Sequence, residues 1–267
     1  MAGGQTADQV RRDFIFSCRS VSLRLPHQGG SRWILADISL DMRRGELLTV
    51  VGPSGTGKTT LLRVLGGLTP CTSGSVLING LEITGPPPGV VIVFQDYSHA
   101  LLPWRNVFRN VALGLEGRVR TAELRERVLG ALRLVGLEKN SSDYPWQLSG
   151  GMQQRVQIAR ALAVRPSVLL MDEPFGALDA MTRALLQDEL MRVRRETSCS
   201  IVFVTHDIEE AVYLGDRIAV INGAPGRIAR TFDITLPQPR DQLMTRQSPE
   251  FLQFRYAVHQ AIAGMAQ

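Results

Sequence analysis

The segment GPSGTGKTT, Gly52 to Thr60, constrains the fold of this chain more than any other part of the sequence. It matches the pattern G-x-x-x-x-G-K-[ST] and directly follows ELLTVVG, an apolar run typical of a strand buried on both faces. In such a strand–loop–helix unit, backbone N–H groups surround phosphate oxygens and the helix start adds its positive end. Lys58 is expected to reach the β- and γ-phosphates, and the Thr59 hydroxyl to coordinate Mg²⁺. The predicted nucleoside triphosphate site comprises Gly52, Pro53, Ser54, Gly55, Thr56, Gly57, Lys58, Thr59 and Thr60.

Strand and helix patterns alternate along the chain, which predicts an α/β fold with a mostly parallel sheet. Two early segments alternate apolar and polar residues, as half-buried antiparallel strands do: FIFSCRSVSLRL and ILADISLDM. GSVLING predicts a short strand, and helical patterns predominate from about 96 to 150. Near-continuous apolar runs predict strands buried on both faces in ELLTVVG, GVVIVFQ, SVLLMDEP, CSIVFVTHD and RIAVING.

Composition favours one sizeable core, since 44% of the 267 residues are hydrophobic. A cytosolic location is expected from two further features of the sequence. No apolar run approaches the roughly 18 residues that span a bilayer, and the N-terminus lacks the apolar region of a signal peptide. Cys18, Cys71 and Cys199 are too scattered for a disulfide framework or a zinc site. The net charge of +5 is dispersed rather than clustered, so nucleic acid is not an expected partner.

Two carboxylates end the predicted strand in VLLMDE. Because ligands of open α/β sheets bind at the carboxyl ends of the strands, Asp172 and Glu173 are expected beside the phosphate loop. Asp172 suits a magnesium shell, directly or through water, and Glu173 is a candidate to polarise the attacking water. The alternative, a pair of solvated acids after a strand, is less favoured beside a phosphate loop.

His206 and Gln95 also end predicted buried strands. A single histidine or glutamine in such a position is more often structural. Here both are expected at the same sheet edge as Glu173 and Lys58, which favours a shared site. His206 is then a candidate to reach the γ-phosphate, and the Gln95 amide to touch magnesium or the water.

The segment LSGGMQQR, Leu148 to Arg155, has the chemistry of a second anion site. Ser149 and two glycines precede the predicted start of a helix, where backbone N–H groups favour anions. The phosphate loop already provides one such site, so the second one requires a separate explanation.

The phosphate loop, Gln95, LSGGMQQR, LLMDEP, GALD and His206, in this order, resemble the nucleotide-binding domain of ABC transporters over roughly residues 14 to 235. The resemblance implies a P-loop NTPase core with an antiparallel β subdomain and an inserted helical subdomain. It implies that two copies of the chain pair head to tail and sandwich two ATP molecules. The signature residues implied to contact the partner chain's ATP are Ser149, Gly150, Gly151, Met152 and Gln153.

The same resemblance implies a role for each strand-end group. Glu173 would be the general base, His206 the γ-phosphate switch, and Asp179 a link across the dimer. The implied ligands of Mg²⁺ are Thr59, Gln95 and Asp172. Where the family places an aromatic residue against adenine, this sequence has Leu25, and Trp33 or His27 are candidates to replace that contact.

Further motifs, namely LLPWRNV, DEPFGALDAMTR, THDIEEAVYLGDRI and GAPGRI, are similar to importer ATPases of the nitrate, taurine and alkanesulfonate type. That similarity implies an ATP-hydrolysing subunit on the cytoplasmic face of the inner membrane. It would dock on two transmembrane permease subunits and act with a solute-binding protein. The apolar loop from Leu101 to Trp104 is interpreted as a docking surface rather than internal packing. The solute stays open among nitrate, taurine, other sulfonates, organic anions and pyrimidine precursors.

The principal alternative is a soluble ABC ATPase not coupled to transport, although such proteins usually carry two cassettes or a long coiled-coil insert. An exporter would typically be fused to transmembrane helices. A non-hydrolysing regulator is disfavoured because Glu173, Gln95 and His206 are all present.

The expected organisation has three parts. Residues 1–12 form a disordered leader, residues 13–236 form the ATPase domain with a helical subdomain at about 96–160, and residues 237–267 form a linker and an amphipathic helix. The Ser-Pro pair at Ser248 predicts the start of that helix, which is expected to pack on the ATPase domain rather than to regulate it.

Overall fold

The computed structural model describes residues 14–27, 29–95 and 100–264, and the predicted leader at residues 1–12 lies outside this part. The described strands are β1 (Phe14–His27), β2 (Gly30–Arg43), β3 (Leu47–Val51), β4 (Ser73–Ile78), β5 (Leu81–Glu82), β6 (Val90–Val93), β7 (Val168–Asp172), β8 (Ser200–Thr205), β9 (Arg217–Asn222) and β10 (Arg227–Asp233). The described α-helices are α1 (Lys58–Leu65), α2 (Val107–Ala112), α3 (Thr121–Leu134), α4 (Gly150–Ala163), α5 (Ala180–Thr197), α6 (Ile208–Leu214), α7 (Met244–Gln247) and α8 (Pro249–Ala263). The α/β class predicted from the sequence is confirmed.

A four-stranded antiparallel sheet contains the first two strands, in the order β2-β1-β4-β5. Val21 on β1 lies opposite Ile38 on β2, and both side chains are fully buried. Exposed residues alternate with these inward ones, as the apolar–polar pattern predicted. The inward side chains pack against α1 and one face of β3.

The six-stranded sheet has the order β10-β9-β3-β8-β7-β6. All neighbours pair in parallel except β9 and β10, which are antiparallel. Every residue of β3, β7 and β8 is buried, as predicted for continuous apolar runs. For β6 this prediction was wrong: it is the edge strand of the described sheet, next to β7, and three of its four residues are half-buried. The edge strand β10 was not predicted.

The parallel pairing brings the carboxyl ends of β3, β7 and β8 to one edge of the sheet. Val51, the last residue of β3, lies opposite Thr205 at the end of β8. Asp172, the last residue of β7, lies opposite Val204. The segments that follow these strands therefore begin side by side.

Helices α2, α3 and α4 pack against one another between β6 and β7 in the chain. The buried Asn110 side chain donates to the carbonyl oxygens of Leu102 (3.0 Å) and Arg105 (2.8 Å), which holds the loop before α2. In that loop Leu101 is buried, whereas 71% of Trp104 is exposed. The apolar loop interpreted as a docking surface is thus divided between internal packing and an exposed face.

The C-terminal helix α8 begins at Pro249, and the Ser248 hydroxyl caps it by accepting from the Phe251 N–H at 3.2 Å. This confirms the start predicted from the Ser-Pro pair. Phe251 and Val258 on its inner face are buried in the core beside α6 and β9. None of the helices in the described part of the chain is both long and apolar enough to cross a membrane.

Candidate active site

The phosphate loop connects β3 to α1 and is packed closely from both sides. Gly52 is required where β3 ends, because a Cβ there would lie 2.0 Å from the carbonyl oxygen of Ile221. Gly57 is the N-cap of α1 in the left-handed conformation. The exposed residues of the loop are Pro53, Ser54 and Gly55. The start of this loop therefore packs directly against the backbone of Ile221 at the end of β9.

Lys58 lies in the first turn of α1, and its ammonium group is folded into the loop. Its Nζ donates to the carbonyl oxygens of Gly52 (2.8 Å) and Pro53 (2.9 Å), and only 7% of the residue is exposed. Burial lowers the pKa of Lys58, while the nearby carboxylates of Glu173 and Asp172 raise it. The loop thus holds a cation beside two acids, with Thr59 and Thr60 half-buried in the following turn.

Asp172 ends β7 and is 2% exposed. Burial raises the pKa of Asp172, whereas a hydrogen bond from the Thr59 side chain and the charge of Lys58 lower it. A carboxylate and a hydroxyl in contact at this edge are the hard oxygen donors that Mg²⁺ prefers. The predicted ligands Thr59 and Asp172 therefore fit a magnesium ion that also takes phosphate oxygens.

Glu173 is the point at which the predicted catalytic residues meet. Its carboxylate Oε2 accepts from Gln95 Nε2 at 3.2 Å and lies 2.9 Å from His206 Nδ1. The backbone of Glu173 has φ +44, uncommon for a residue with a side chain, and its N–H donates to the carbonyl oxygen of Val204 at 2.9 Å. The structure thus brings together Gln95, Glu173 and His206, which are distant in sequence.

Asp179 is the exposed N-cap of α5, and its carboxylate accepts from the Thr182 N–H at 3.0 Å. Hydrogen bonding from Thr182 lowers the pKa of Asp179. Four residues along, Arg183 lies 3.9 Å from Asp207, the residue after His206. Asp179 therefore has a structural function within its own chain, in addition to the dimer contact predicted for it.

The LSGG segment forms the start of α4, where the Ser149 hydroxyl accepts from the Met152 N–H at 3.3 Å. Gly150 and Gly151 occupy the first turn. Met152 packs against the core, and Gln153 Nε2 donates to the Pro145 carbonyl oxygen at 2.9 Å. Among the described residues, no hydrogen bond joins this segment to the phosphate loop. The Ser149 hydroxyl belongs to an exposed residue, and Gly150 and Gly151 beside it are half-buried.

Sequence reasoning did not identify Gly226 as a support of the phosphate loop. A Cβ on Gly226 would lie 2.0 Å from the Thr56 carbonyl oxygen. Its N–H donates to the Ile34 carbonyl oxygen (2.9 Å), and its own carbonyl accepts from the Ala36 N–H (3.0 Å). The sequence shows only a Gly-Ala-Pro-Gly turn here, because the contact depends on three segments meeting in space.

The candidates for the adenine contact are in different environments. Leu25 is half-buried and packs against the core, whereas 42% of Trp33 is exposed, with the Arg24 guanidinium 5.8 Å from its ring centre. The next residue, Ile34, lies against the phosphate loop, because its Cγ2 would be 3.2 Å from a Cβ on Gly57. His27 is exposed at the end of β1.

A phosphate loop on a mostly parallel sheet, with a buried aspartate and a neighbouring glutamate at the same strand ends, defines a P-loop nucleoside triphosphatase. The family model for ABC transporters matches residues 35–176. The chain belongs to the ABC transporter family, and it is an ATPase of that family.

The chain resembles curated proteins over most of its length. It is 49% identical over 224 residues to an uncharacterized ABC transporter ATP-binding protein of Methanocaldococcus jannaschii, covering 83% of this chain and 81% of that protein. It is 41% identical over 255 residues to the nitrate import ATP-binding protein NrtD of Synechococcus elongatus, covering 94% and 92%. It is 45% identical over 225 residues to the aliphatic sulfonates import ATP-binding protein SsuB of Bacillus licheniformis, covering 84% and 85%.

A solved structure shares the fold. This is the dimeric, post-hydrolysis state of an ATP-binding cassette bound to ADP and Pi, with a TM-score of 0.74 and 32% identity, covering 82% of this chain and 98% of that one. The predicted family and fold, a P-loop core with an antiparallel β subdomain and inserted helices, are confirmed.

Proposed function

We propose that this chain hydrolyses ATP with Glu173 as the general base, and that hydrolysis drives import of a small anionic solute. The observation that carries the catalytic assignment is the meeting of His206 Nδ1 and Gln95 Nε2 at one carboxylate oxygen of Glu173. In the reaction, this carboxylate accepts a proton from water while the water oxygen bonds to the γ-phosphorus and ADP leaves.

The neighbours of Glu173 have separate functions in this proposal. Gln95 orients the carboxylate through its amide N–H. In its imidazolium form His206 donates from Nδ1 to Glu173 and from Nε2 to a γ-phosphate oxygen. Lys58 and the backbone N–H groups of residues 54–60 bind the phosphates. Thr59, Asp172 and Gln95 would hold Mg²⁺, which neutralises negative charge on the phosphate oxygens when it is bound.

The second anion site is assigned to the partner's nucleotide. Ser149 is exposed and caps its own helix, and in the described part of the chain no hydrogen bond joins Ser149, Gly150 or Gly151 to the phosphate loop. Met152 and Gln153 hold this helix start in place through their own-chain contacts. A similar cassette, 32% identical and described as dimeric with ADP and Pi bound, supports a dimer for this chain. Two copies then close around two ATP molecules, with Asp179 of each chain at the shared face.

The transport assignment rests on the relatives named for nitrate and aliphatic sulfonate import. Both names describe small oxyanions, so this chain is assigned to an importer of that solute class. The ATPase would lie peripherally on the cytoplasmic face of the inner membrane, bound to two permease subunits and served by a solute-binding protein. The exposed Pro103 and Trp104 lie in the loop that Asn110 holds, and they offer an apolar surface for permease docking.

The catalytic assignment is tested with Glu173→Gln. Loss of the general base should lower turnover by about 10²- to 10⁴-fold while ATP binding persists. The measurement is phosphate release by the purified chain together with equilibrium ATP binding. Turnover close to that of the unmodified protein would refute Glu173 as the base.

The transport assignment is tested separately, by purifying the tagged chain from native membranes. We expect two permease subunits to co-purify, and the reconstituted complex to move nitrate, taurine or another sulfonate into vesicles in the presence of ATP. Recovery of an active ATPase with no membrane partner would contradict the importer and favour a soluble ABC ATPase.

A further inference from the structure

The helix that follows His206 is held at its C-terminal end by a distant part of the chain. Arg240 Nη1 donates to the carbonyl oxygen of Tyr213 at 2.6 Å and lies 3.5 Å from that of Val212. These carbonyls end α6, whose last turn contains no basic residue of its own. Arg240 is only 9% exposed, and burial lowers its pKa to about 10. A buried guanidinium thus caps the negative end of the helix.

The same part of the chain also holds the beginning of α6. Glu209 lies in the first turn, and its two carboxylate oxygens pair with Arg255 Nη1 (2.7 Å) and Arg246 Nη1 (3.4 Å). The Arg246 guanidinium also lies over the Tyr213 ring, 4.8 Å from its centre. We call residues 240–258 the C-terminal brace, because its three arginines contact both ends of α6.

The start of α6 is directly connected to the catalytic histidine. Asp207, the residue after His206, caps α6 by accepting from the N–H groups of Glu209 (2.9 Å) and Glu210 (3.1 Å). The Asp207 N–H in turn donates to the Thr205 hydroxyl at the end of β8, at 3.0 Å. A displacement of the first turn of α6 therefore moves Asp207, and with it the backbone of His206.

The brace is itself fixed to the core and does not fill the space beside His206. Phe251 and Val258 are buried at 1% and 0% exposure, so the inner face of α8 cannot shift without opening the core. Between α8 and the start of α6 lies an open cavity of about 580 Å³, lined by His206, Tyr256 and His259 among others. The contacts of the C-terminal brace with α6 are therefore its connection to His206.

We propose that the C-terminal brace is a positioning element for ATP hydrolysis: its arginines bind both ends of α6 and so fix the location of His206 relative to Glu173. This inference rests on the proposed catalytic function of His206. It assigns a role in turnover to a helix that the sequence presents only as a packing element. Arg246 and Arg255 act through Glu209 in the first turn of α6.

The test is the double substitution Arg246→Gln/Arg255→Gln, which removes both ion pairs of Glu209. We expect kcat to fall about tenfold, the effect of a 1.4 kcal/mol rise in the barrier, with the KM for ATP within about twofold of its normal value. Arg246→Lys/Arg255→Lys, which retains both charges, should restore most of the loss. The matched control is Arg105→Gln/Arg133→Gln, which removes two ion pairs of 2.7 and 2.8 Å on the helical region and should leave kcat unchanged.

A double-mutant cycle separates positioning from general stabilisation. In a His206→Ala background the brace substitutions should cost no further turnover, because the group that they position is absent. If they lower the melting temperature but leave the kcat of the folded protein unchanged, the brace only stabilises and the inference is wrong. Equal losses with and without His206 would also overturn it. Normal turnover of His206→Ala alone would overturn both this inference and the proposed role of His206.

Discussion

The substitution Gly226→Ala tests whether the turn after β9 supports the phosphate loop. The added methyl carbon would lie 2.0 Å from the Thr56 carbonyl oxygen and 3.1 Å from Ile221 Cδ1, whereas an ordinary contact begins at 3.4 Å. The loop or the turn must therefore move by about 1.4 Å, judged against normal carbon–oxygen separations. Gly226 cannot easily retreat, because both its N–H and its carbonyl are hydrogen-bonded to β2.

Overpacking of this kind costs about 1–3 kcal/mol. In a chain of 267 residues, each kcal/mol lowers the melting temperature by about 2–4 °C, so a decrease of roughly 2–12 °C is expected. Because the displaced atom belongs to the phosphate loop, we also expect weaker ATP binding, by about tenfold for each 1.4 kcal/mol of the strain that falls on the loop. Thermal unfolding and equilibrium titration with ATP measure the two effects.

Gly130→Ala is the matched control, because a Cβ on Gly130 would have no neighbour within 4 Å. Gly130 lies inside α3, so alanine there should stabilise the protein by up to about 1 kcal/mol and leave ATP binding unchanged. If Gly226→Ala melted and bound ATP like the unmodified protein, the turn would not support the loop and the argument from close packing would fail.

Two further predictions concern the second anion site and a buried carboxylate. Ser149→Arg should leave ATP binding by the single chain nearly unchanged but abolish turnover, as measured by titration and phosphate release; lost binding would mean that the segment serves its own chain. Glu210 is buried, its Oε1 accepts from Gln187 Nε2 at 3.0 Å, and burial raises its pKa. A raised folded-state pKa means that stability present at low pH is lost as pH rises above the ordinary glutamate range. Glu210→Gln keeps an acceptor oxygen for Gln187 and removes this pH-dependent loss of stability. The melting temperature of the variant should exceed that of the unmodified protein by more at pH 8 than at pH 5. A difference in melting temperature that does not change with pH would refute the reasoning.

Much of the fold was predictable because its signals are local. The uninterrupted apolar runs of β3, β7 and β8 correspond to strands buried on both faces, and the alternation in β1 and β2 corresponds to a sheet buried on one face. Ser149 and Ser248 were identifiable as helix starts because capping depends on neighbouring residues. The apolar run of β6 predicts a strand buried on both faces, but β6 is half-buried, because composition does not distinguish an edge strand from a central one.

The candidate site was predictable in its membership but not in its geometry. Because parallel strands end at one edge of the sheet, the sequence alone predicts that Gln95, Glu173 and His206 lie in the same region. Their meeting at a single oxygen of Glu173 depends on the left-handed backbone at that residue and on the register of β7 with β8. Neither of these features has a signal in the sequence.

By itself, the sequence determined a phosphate loop on a parallel sheet, the set of strand-end side chains and the family to which they belong, because these follow from local patterns and their order. Only the tertiary structure decided that Gly226 supports the loop and that the C-terminal brace grips the helix after His206. The physical reason is that both depend on contacts between segments far apart in the chain. Gly226 lies 170 positions from Thr56, and Arg255 lies 46 from Glu209.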